Sequence, residues 1–279
     1  MSLAEAATPP SSAGFLAEWR RREPIFFAAA LAHAALVPLA LAMMAVDGRT
    51  YLDLNIWVKP LKFLVSIAIW FGFLAWAAGW LREGITRSRW WRPFTLVMVV
   101  NAALEMIWIG GAAAAGVGSH FNSSTPLWAF GFSMAAFSAV ILLGSALVYG
   151  AALARGGAPG LDPAFRLSAT LGFLVSVPLT LVAALTLGGN GGHIVGGSAT
   201  DANGLWLMGW ARGGGDLRVA HFFALHAMHA LPLFGWLAAR TLPVGAARAA
   251  IWAATGGWIW LTGFTYFQAL DGRPFLPFL

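Results

Sequence analysis

Long apolar stretches separated by short polar ones dominate the chain. Seven of them, at roughly 26–46, 57–80, 94–117, 127–151, 167–188, 219–239 and 249–270, are each long enough to cross a hydrocarbon core, which takes about 20 helical residues. Barrel strands would alternate apolar and polar positions over about ten residues. These runs do not alternate, and a lipid-exposed backbone must satisfy its own hydrogen bonds. The pattern predicts an all-α, polytopic membrane helix bundle of about seven transmembrane helices. Residues 1–24, with Pro, Ser, Ala and mixed charge, predict a cytoplasmic N-terminal tail carrying at most one interfacial turn. Residues 25–279 then form a single transmembrane domain.

Composition agrees with lipid as the solvent. Hydrophobic residues make up 59% of the chain, charged ones 10%, and mean hydropathy is +0.73. Soluble domains hold about a quarter charged residues. The net charge of +6 sits in short runs between apolar spans, with no recognition motif, so it does not indicate nucleic acid. Cysteine is absent, which excludes disulfides, thiolate metal sites, iron–sulfur clusters and c-type haem attachment.

The distribution of cations predicts orientation. With the N-terminus inside, Arg20, Arg21, Arg22, Arg82, Arg87, Arg89, Arg92, Arg155, Arg166, Arg240 and Arg248 fall on the inner side. Arg49, Lys59, Lys62, Arg212, Arg218 and Arg273 fall outside. Eleven against six follows the positive-inside bias and places the C-terminus outside, in a bacterial inner membrane. The first span follows three arginines, as a signal peptide would, but exceeds the usual h-region of about 7–15 residues, so it reads as a retained helix.

Two outer segments differ from ordinary connectors. One is GVGSHFNSSTP, from Gly116 to Pro126. The other runs from Gly188 to Asp216, with GGNGGHIVGG at its start and ARGGGD at its end. Long irregular loops in compact folds are functional or act as linkers. GGNGGH is no phosphate loop, because no GK[ST] follows and no strand precedes it. Asn122-Ser123-Ser124 matches a glycosylation sequon, relevant only in a eukaryotic secretory route. The last span has no lysine for a retinal Schiff base.

Ionisable groups inside a membrane are costly and point to function. The third span carries Asn101 and Glu105, the first His33, and the sixth His221, His226 and His229 in DLRVAHFFALHAMHALPL. At about 1.5 Å per residue, His226 lies about 10 Å and His229 about 15 Å below the outer end, and Glu105 is close to the midplane. At about 100° per residue the three sixth-span histidines share an arc of roughly 140°, one broad face pointing into the bundle. The spacing H-x4-H-x2-H is not the zincin HExxH. Lys59 and Lys62 share a face near the outer end of the second span. They suit an anionic head group or carboxylate, or else snorkel to the interface. Asp216 reads as the N-cap of the sixth helix, with Arg218 its partner or a ligand's.

At WVKPLKF, SHFN and GGDLRVAHFFALHAMHALPL the chain resembles a family of multi-pass bacterial membrane proteins without an assigned activity, from Asn55 to about Trp236. The family pattern has an Arg-Gly pair before SHFN, where this chain has Ala-Ala-Gly-Val-Gly. The resemblance implies the multi-pass topology and the outer-side motifs, and implies no chemistry.

The residues together predict a His-rich polar pocket on the periplasmic side, covered by the 188–216 loop. Its assignments are Glu105 as a catalytic group, acting as a ligand or a proton acceptor, Lys62, His120, His193, Asp216 and Arg218 as cofactor-binding groups, and His221, His226 and His229 as metal ligands. The candidate cofactors are a transition metal such as zinc, or a b-type haem held by His226 or His229 with His33 or His120. Either would serve redox or hydrolytic chemistry. The expected partners are membrane lipid and a small-molecule or lipid-linked substrate. A proton-coupled transporter using the same groups as a relay, and a non-catalytic subunit whose polar groups lock helices together, remain open beside it.

Overall fold

A computed structural model describes residues 12–198, 200–202, 204–205 and 208–276. Residues 1–11 of the predicted tail and loop positions 199, 203, 206 and 207 lie outside the described residues. Among the described residues the chain forms nine α-helices: α1 Ser12–Arg22, α2 Pro24–Val46, α3 Val58–Ala77, α4 Glu83–Thr86, α5 Trp91–Ala115, α6 Pro126–Arg155, α7 Pro163–Gly189, α8 Leu217–Thr241 and α9 Val244–Leu270. Two short antiparallel hairpin-like pairs accompany them, β1 Thr50–Tyr51 with β2 Leu54–Asn55, and β3 Ile194–Val195 with β4 Gly215–Asp216.

Six helices, α2, α3, α5, α6, α7 and α8, are long and apolar enough to cross a membrane. The chain is therefore a multi-pass membrane protein. The last expected span, α9, is as long, but glycine and threonine interrupt its apolar run, and it is not among the six. The surface is apolar where lipid would lie, as at Ile107, 71% exposed, and Leu185, 73% exposed.

Local chemistry sets the helix boundaries. Glu23, Thr125, Asp162 and Asp216 accept backbone N–H groups at the starts of α2, α6, α7 and α8, satisfying donors that have no partner within the helix. Proline occupies the first turn in α2, α6 and α7, where its missing N–H costs nothing. α5 stops at Gly116, whose φ of +79° makes a left-handed cap.

α1 differs from the expected single turn. It is an 11-residue helix held on the bundle by Trp19, whose indole donates to Gly72 O at 2.7 Å, and by Arg22, stacked 3.8 Å over Trp76. Beside it the Trp91 indole donates to the buried Glu23 carboxylate.

Small residues let the helices approach closely. A Cβ on Gly172 would lie 2.9 Å from Ala227 O, and one on Gly235 1.8 Å from Ser168 Oγ, which makes α7 and α8 the tightest pair. Buried polar groups lock neighbours, as where Tyr149 donates to Leu74 O at 2.9 Å and Asn101 to Ser138 O at 2.8 Å.

The loops sort to two ends. At one end Arg49 donates to Ala114 O, Asp201 N to Leu52 O, and Gly215 packs on Ala269, so the segments around residues 47–57, 116–125, 190–216 and 271–276 gather there. At the other end Ala158 N bonds Trp80 O and Leu81 bridges Gly157. The arginines from Arg82 to Arg92 therefore lie at the opposite end of the bundle from His120 and His193.

Candidate functional site

The 190–216 loop is tied down by a charged network that begins at its last residue. Asp216, 1% exposed, pairs through β4 with β3 and caps α8, accepting Arg218 N at 2.9 Å and Ala211 N at 2.8 Å. The Arg218 guanidinium returns onto it, with Nε 3.0 Å from Oδ1 and Nη2 2.6 Å from Oδ2. The same Nη2 donates to Asp201 Oδ1 and to Gly209 O, both at 2.7 Å. His193 Nε2 completes the group 3.0 Å from Asp201 Oδ1. From α3, the Lys62 amine donates to Met208 O at 2.8 Å. Burial alone would push the Asp201 carboxyl up, but the His193 hydrogen bond and the Arg218 charge outweigh it and hold it below the usual carboxylate value.

A second cluster lies under the 116–125 loop. This loop turns back into the bundle, with Phe121 at φ +57°, and delivers His120 to the membrane-embedded Glu105. His120 Nε2 is 3.3 Å from Glu105 Oε1, and Glu105 is 4% exposed with its Oε2 buried and unpartnered. His120 Nδ1 meets Ser119 Oγ at 3.0 Å, and Trp108 pins the loop by donating to Ser119 O at 2.8 Å. Burial pushes the His120 imidazole below its ordinary pKa and the Lys59 cation adds to this, while Glu105 opposes both. Irregular backbone at membrane depth is tolerated where protein surrounds it, and here Phe63, Phe121 and Phe132 enclose the ring.

The third cluster is the α8 stripe. His226 Nδ1 and His229 Nδ1 lie 3.2 Å apart. Phe222 lies 4.1 Å from His226 and Phe73 of α3 lies 4.3 Å from His229, centroid to centroid. His221 Nδ1 and His229 Nε2 are buried without a hydrogen-bond partner among the described residues.

The structure thus divides the expected pocket into three clusters. Lys62, His193, Asp216 and Arg218 share the loop network. Glu105 joins His120 rather than the α8 histidines, because α5 packs on α3 and α6 and is not a close neighbour of α8. His226 and His229 pair with one another, and His221, within electrostatic range of His226, makes no hydrogen bond to the pair among the described residues. Asp201 escaped the sequence reading. Its signal was its being the sole acidic residue between Asp162 and Asp216, so it was the natural second partner for Arg218. Lys59 reaches inward, within electrostatic range of both Glu105 and Arg218, and so connects the first two clusters.

These positions bear unequally on the cofactors considered. Two axial imidazoles of one haem must face each other across a single iron. His33 packs on Phe71 and bonds Ala29 O at 2.7 Å, whereas His229 packs on Phe73. Two residues along a helix turn the chain by about 200°, so α3 separates His33 from α8. His120 is enclosed by rings from α3, α6 and its own loop, none from α8. A haem on either pairing does not fit this arrangement.

One ligand atom from each of His193, Asp201 and Asp216 lies within 4.8 Å of the others, a donor set of the right kind for a metal ion. However, the Arg218 guanidinium already donates to both carboxylates and supplies the positive charge there. A metal ion would have to displace it, so this group fits a metal poorly. The His226–His229 pair fits better. Its 3.2 Å separation spans two Zn–N bonds of about 2.0–2.1 Å at close to a tetrahedral angle.

Apolar grooves elsewhere, such as the one along α5 lined by Leu96, Val97, Val100, Asn101 and Leu104, touch none of the three clusters. Comparison of the chain with known protein families, with curated proteins and with solved structures gives no match to any of them.

Proposed function

We propose that this is a seven-span protein of the bacterial inner membrane, with its N-terminus in the cytoplasm and its loop network facing the periplasm. In this reading His226 and His229 hold a transition metal such as zinc for redox or hydrolytic chemistry. The gathering of Arg82, Arg87, Arg89, Arg92 and Arg155 at the end opposite His120 and His193 supports the orientation through the positive-inside bias. One observation carries the metal assignment: the two Nδ1 atoms converge at 3.2 Å on one face of α8. Two protein imidazoles are one fewer than the three ligands usual at catalytic zinc, so the remaining positions would fall to water or substrate. A metal there would polarise a bound group or lower the pKa of a bound water.

Zinc titration of the purified, chelator-treated protein, followed by metal analysis, tests this. About one tightly bound equivalent is expected for the native chain, on the pattern of a single mononuclear site. His226→Ala and His229→Ala should each abolish it and His33→Ala should not. Gel filtration and thermal unfolding confirm that each variant is folded. Absence of binding to the native chain, or its survival in folded His226→Ala/His229→Ala, overturns the assignment.

A second reading, proton-coupled transport, is favoured by the unpartnered Oε2 of Glu105 beside His120 and Lys59. It expects proton flux into proteoliposomes that Glu105→Gln reduces to the level of empty vesicles. Undiminished flux in that variant removes Glu105 from any relay.

A further inference from the structure

We infer that Ser119, His120 and Glu105 form a hydrolytic triad for the acyl ester of a membrane-soluble molecule, with Ser119 as nucleophile, His120 as base and Glu105 positioning the base. This activity goes beyond the metal reading and uses neither His226 nor His229.

The three side chains are joined through one imidazole. Ser119 Oγ is 3.0 Å from His120 Nδ1, and His120 Nε2 is 3.3 Å from Glu105 Oε1. An ionised carboxylate only accepts, so Glu105 keeps the ring proton on Nε2 and leaves Nδ1 to take the Ser119 proton. The two nitrogens exchange the places they hold in the usual triad, which is recognised by geometry and roles rather than by sequence position. Holding the loop does not require this chain of contacts. Trp108 and Asn122 already pin it through Ser119 O and Gly118 O, and a carboxylate inside the membrane is an expensive anchor for one imidazole. Glu105 has no other close polar partner among the described residues, and its buried Oε2 has none at all.

Donors for an oxyanion lie beside the nucleophile. Gly118 and Ser119 are buried, yet neither backbone N–H, nor that of His120, has an acceptor among the described residues. Buried backbone donors are rarely left unpaired. Such N–H groups, including that of the residue after the nucleophile, stabilise the tetrahedral intermediate of acyl transfer. Lys59 adds positive charge within electrostatic range of Glu105 and His120. Phe63, Phe121 and Phe132 around the imidazole offer an acyl chain an apolar wall. Ser119 is only 2% exposed, so a cover must move before reaction. Tyr51 suits that role. It is 43% exposed, stands on the two-residue β1, and lies against Gly118, where a Cβ would come 2.6 Å from its hydroxyl.

In the reaction Ser119 Oγ attacks the ester carbonyl carbon as its proton passes to His120 Nδ1. Collapse of the tetrahedral intermediate breaks the bond to the alcohol oxygen, and the alcohol leaves with that proton. Water then attacks the acyl-serine by the same route, releasing the carboxylic acid and restoring the hydroxyl.

A decyl fluorophosphonate, which phosphonylates activated serines with loss of fluoride, tests this on the purified protein in detergent with chelator present. Peptide mass spectrometry is expected to place the adduct on Ser119, in the parent or, once the cover is removed, in Tyr51→Ala. No adduct on Ser119 in either overturns the proposal. Folded His120→Ala should be labelled about 10²-fold more slowly or worse, and an unchanged rate overturns it too. Labelling should fall at low pH as His120 takes up a proton. Of the groups facing the ring, Glu105 from α5 favours the protonated form and Lys59 from α3 opposes it, while Phe132 from α6 and the loop's own Ser119 and Phe121 carry no charge. Glu105→Gln should therefore move the midpoint of this fall to lower pH, and an unmoved midpoint removes Glu105 from the triad. p-Nitrophenyl decanoate should be hydrolysed by the parent and not by folded Ser119→Ala, and failure of either half overturns the ester assignment. The chelator keeps these outcomes separate from the zinc titration, so either reading can fail alone.

Discussion

Arg218→Ala is expected to cost the protein about 3–5 kcal/mol, because it leaves buried carboxylates without their counter-charge. The guanidinium makes short bonds to Asp216 and Asp201 and a third to Gly209 O, and both aspartates are buried. Without it, Asp216 keeps its N-cap bonds to Arg218 N and Ala211 N, and Asp201 keeps His193. Two negative charges then share one partly buried imidazole and the more distant Lys62 amine. The loop should detach before the helices separate, so proteolysis within 196–205 is expected to accelerate while α-helical content persists. Arg218→Lys should recover only part of the loss, since an ammonium cannot reproduce the forked contact. Adding Asp201→Asn to Arg218→Ala should cost less than the sum of the two single changes, as groups in one network do not add. Thermal unfolding in detergent measures all of these. A loss below about 1 kcal/mol in Arg218→Ala, the range of an exposed ion pair, would show that the network does not hold the loop.

How far the sequence reveals this architecture depends on the interaction concerned. The six apolar helices are visible in it because bilayer length and backbone satisfaction leave few alternatives. Asp216 as a cap was visible for a similar reason, since N-caps are local. Pairings between helices were not. Nothing in the spacing of His33, His221, His226 and His229 says that α3 stands between the first and the others, because that depends on which helices pack together. Glu105 could be recognised as an expensive midplane charge, but its partner comes from a loop that turns back by way of Gly116 and a positive-φ Phe121. α1 went unrecognised because its docking rests on Trp19 and Arg22 finding Gly72 and Trp76, contacts more than fifty residues apart in sequence. The carbonyl that receives Lys62 is a backbone group, and no residue type announces it.

Gly215→Ala is expected to be among the most damaging single-methyl changes in the loop. A Cβ there would lie 1.9 Å from Ala269 O and 2.7 Å from Ala269 C, backbone atoms at the end of α9 that have no rotamer to yield. Relief requires moving either α9 or the β3–β4 pair, and the latter carries Asp216 and hence the N-cap of α8. Overpacking typically costs about 1–3 kcal/mol, and the upper part of that range is expected because both sides of the clash are main chain. Gly213→Ala is the matched control. Its Cβ would meet nothing within 4 Å, so its effect should stay within about 0.5 kcal/mol. The comparison also bears on α9, the one expected span that is not among the six apolar helices. Trp258 already ties it to α8 through Phe223 O at 2.8 Å. If Gly215→Ala lowers the unfolding temperature in step with loss of loop protection, α9 is a fixed wall of the bundle and supports the loop network. Equal stability of Gly215→Ala and Gly213→Ala would mean that the end of α9 gives way freely and that the network stands without it.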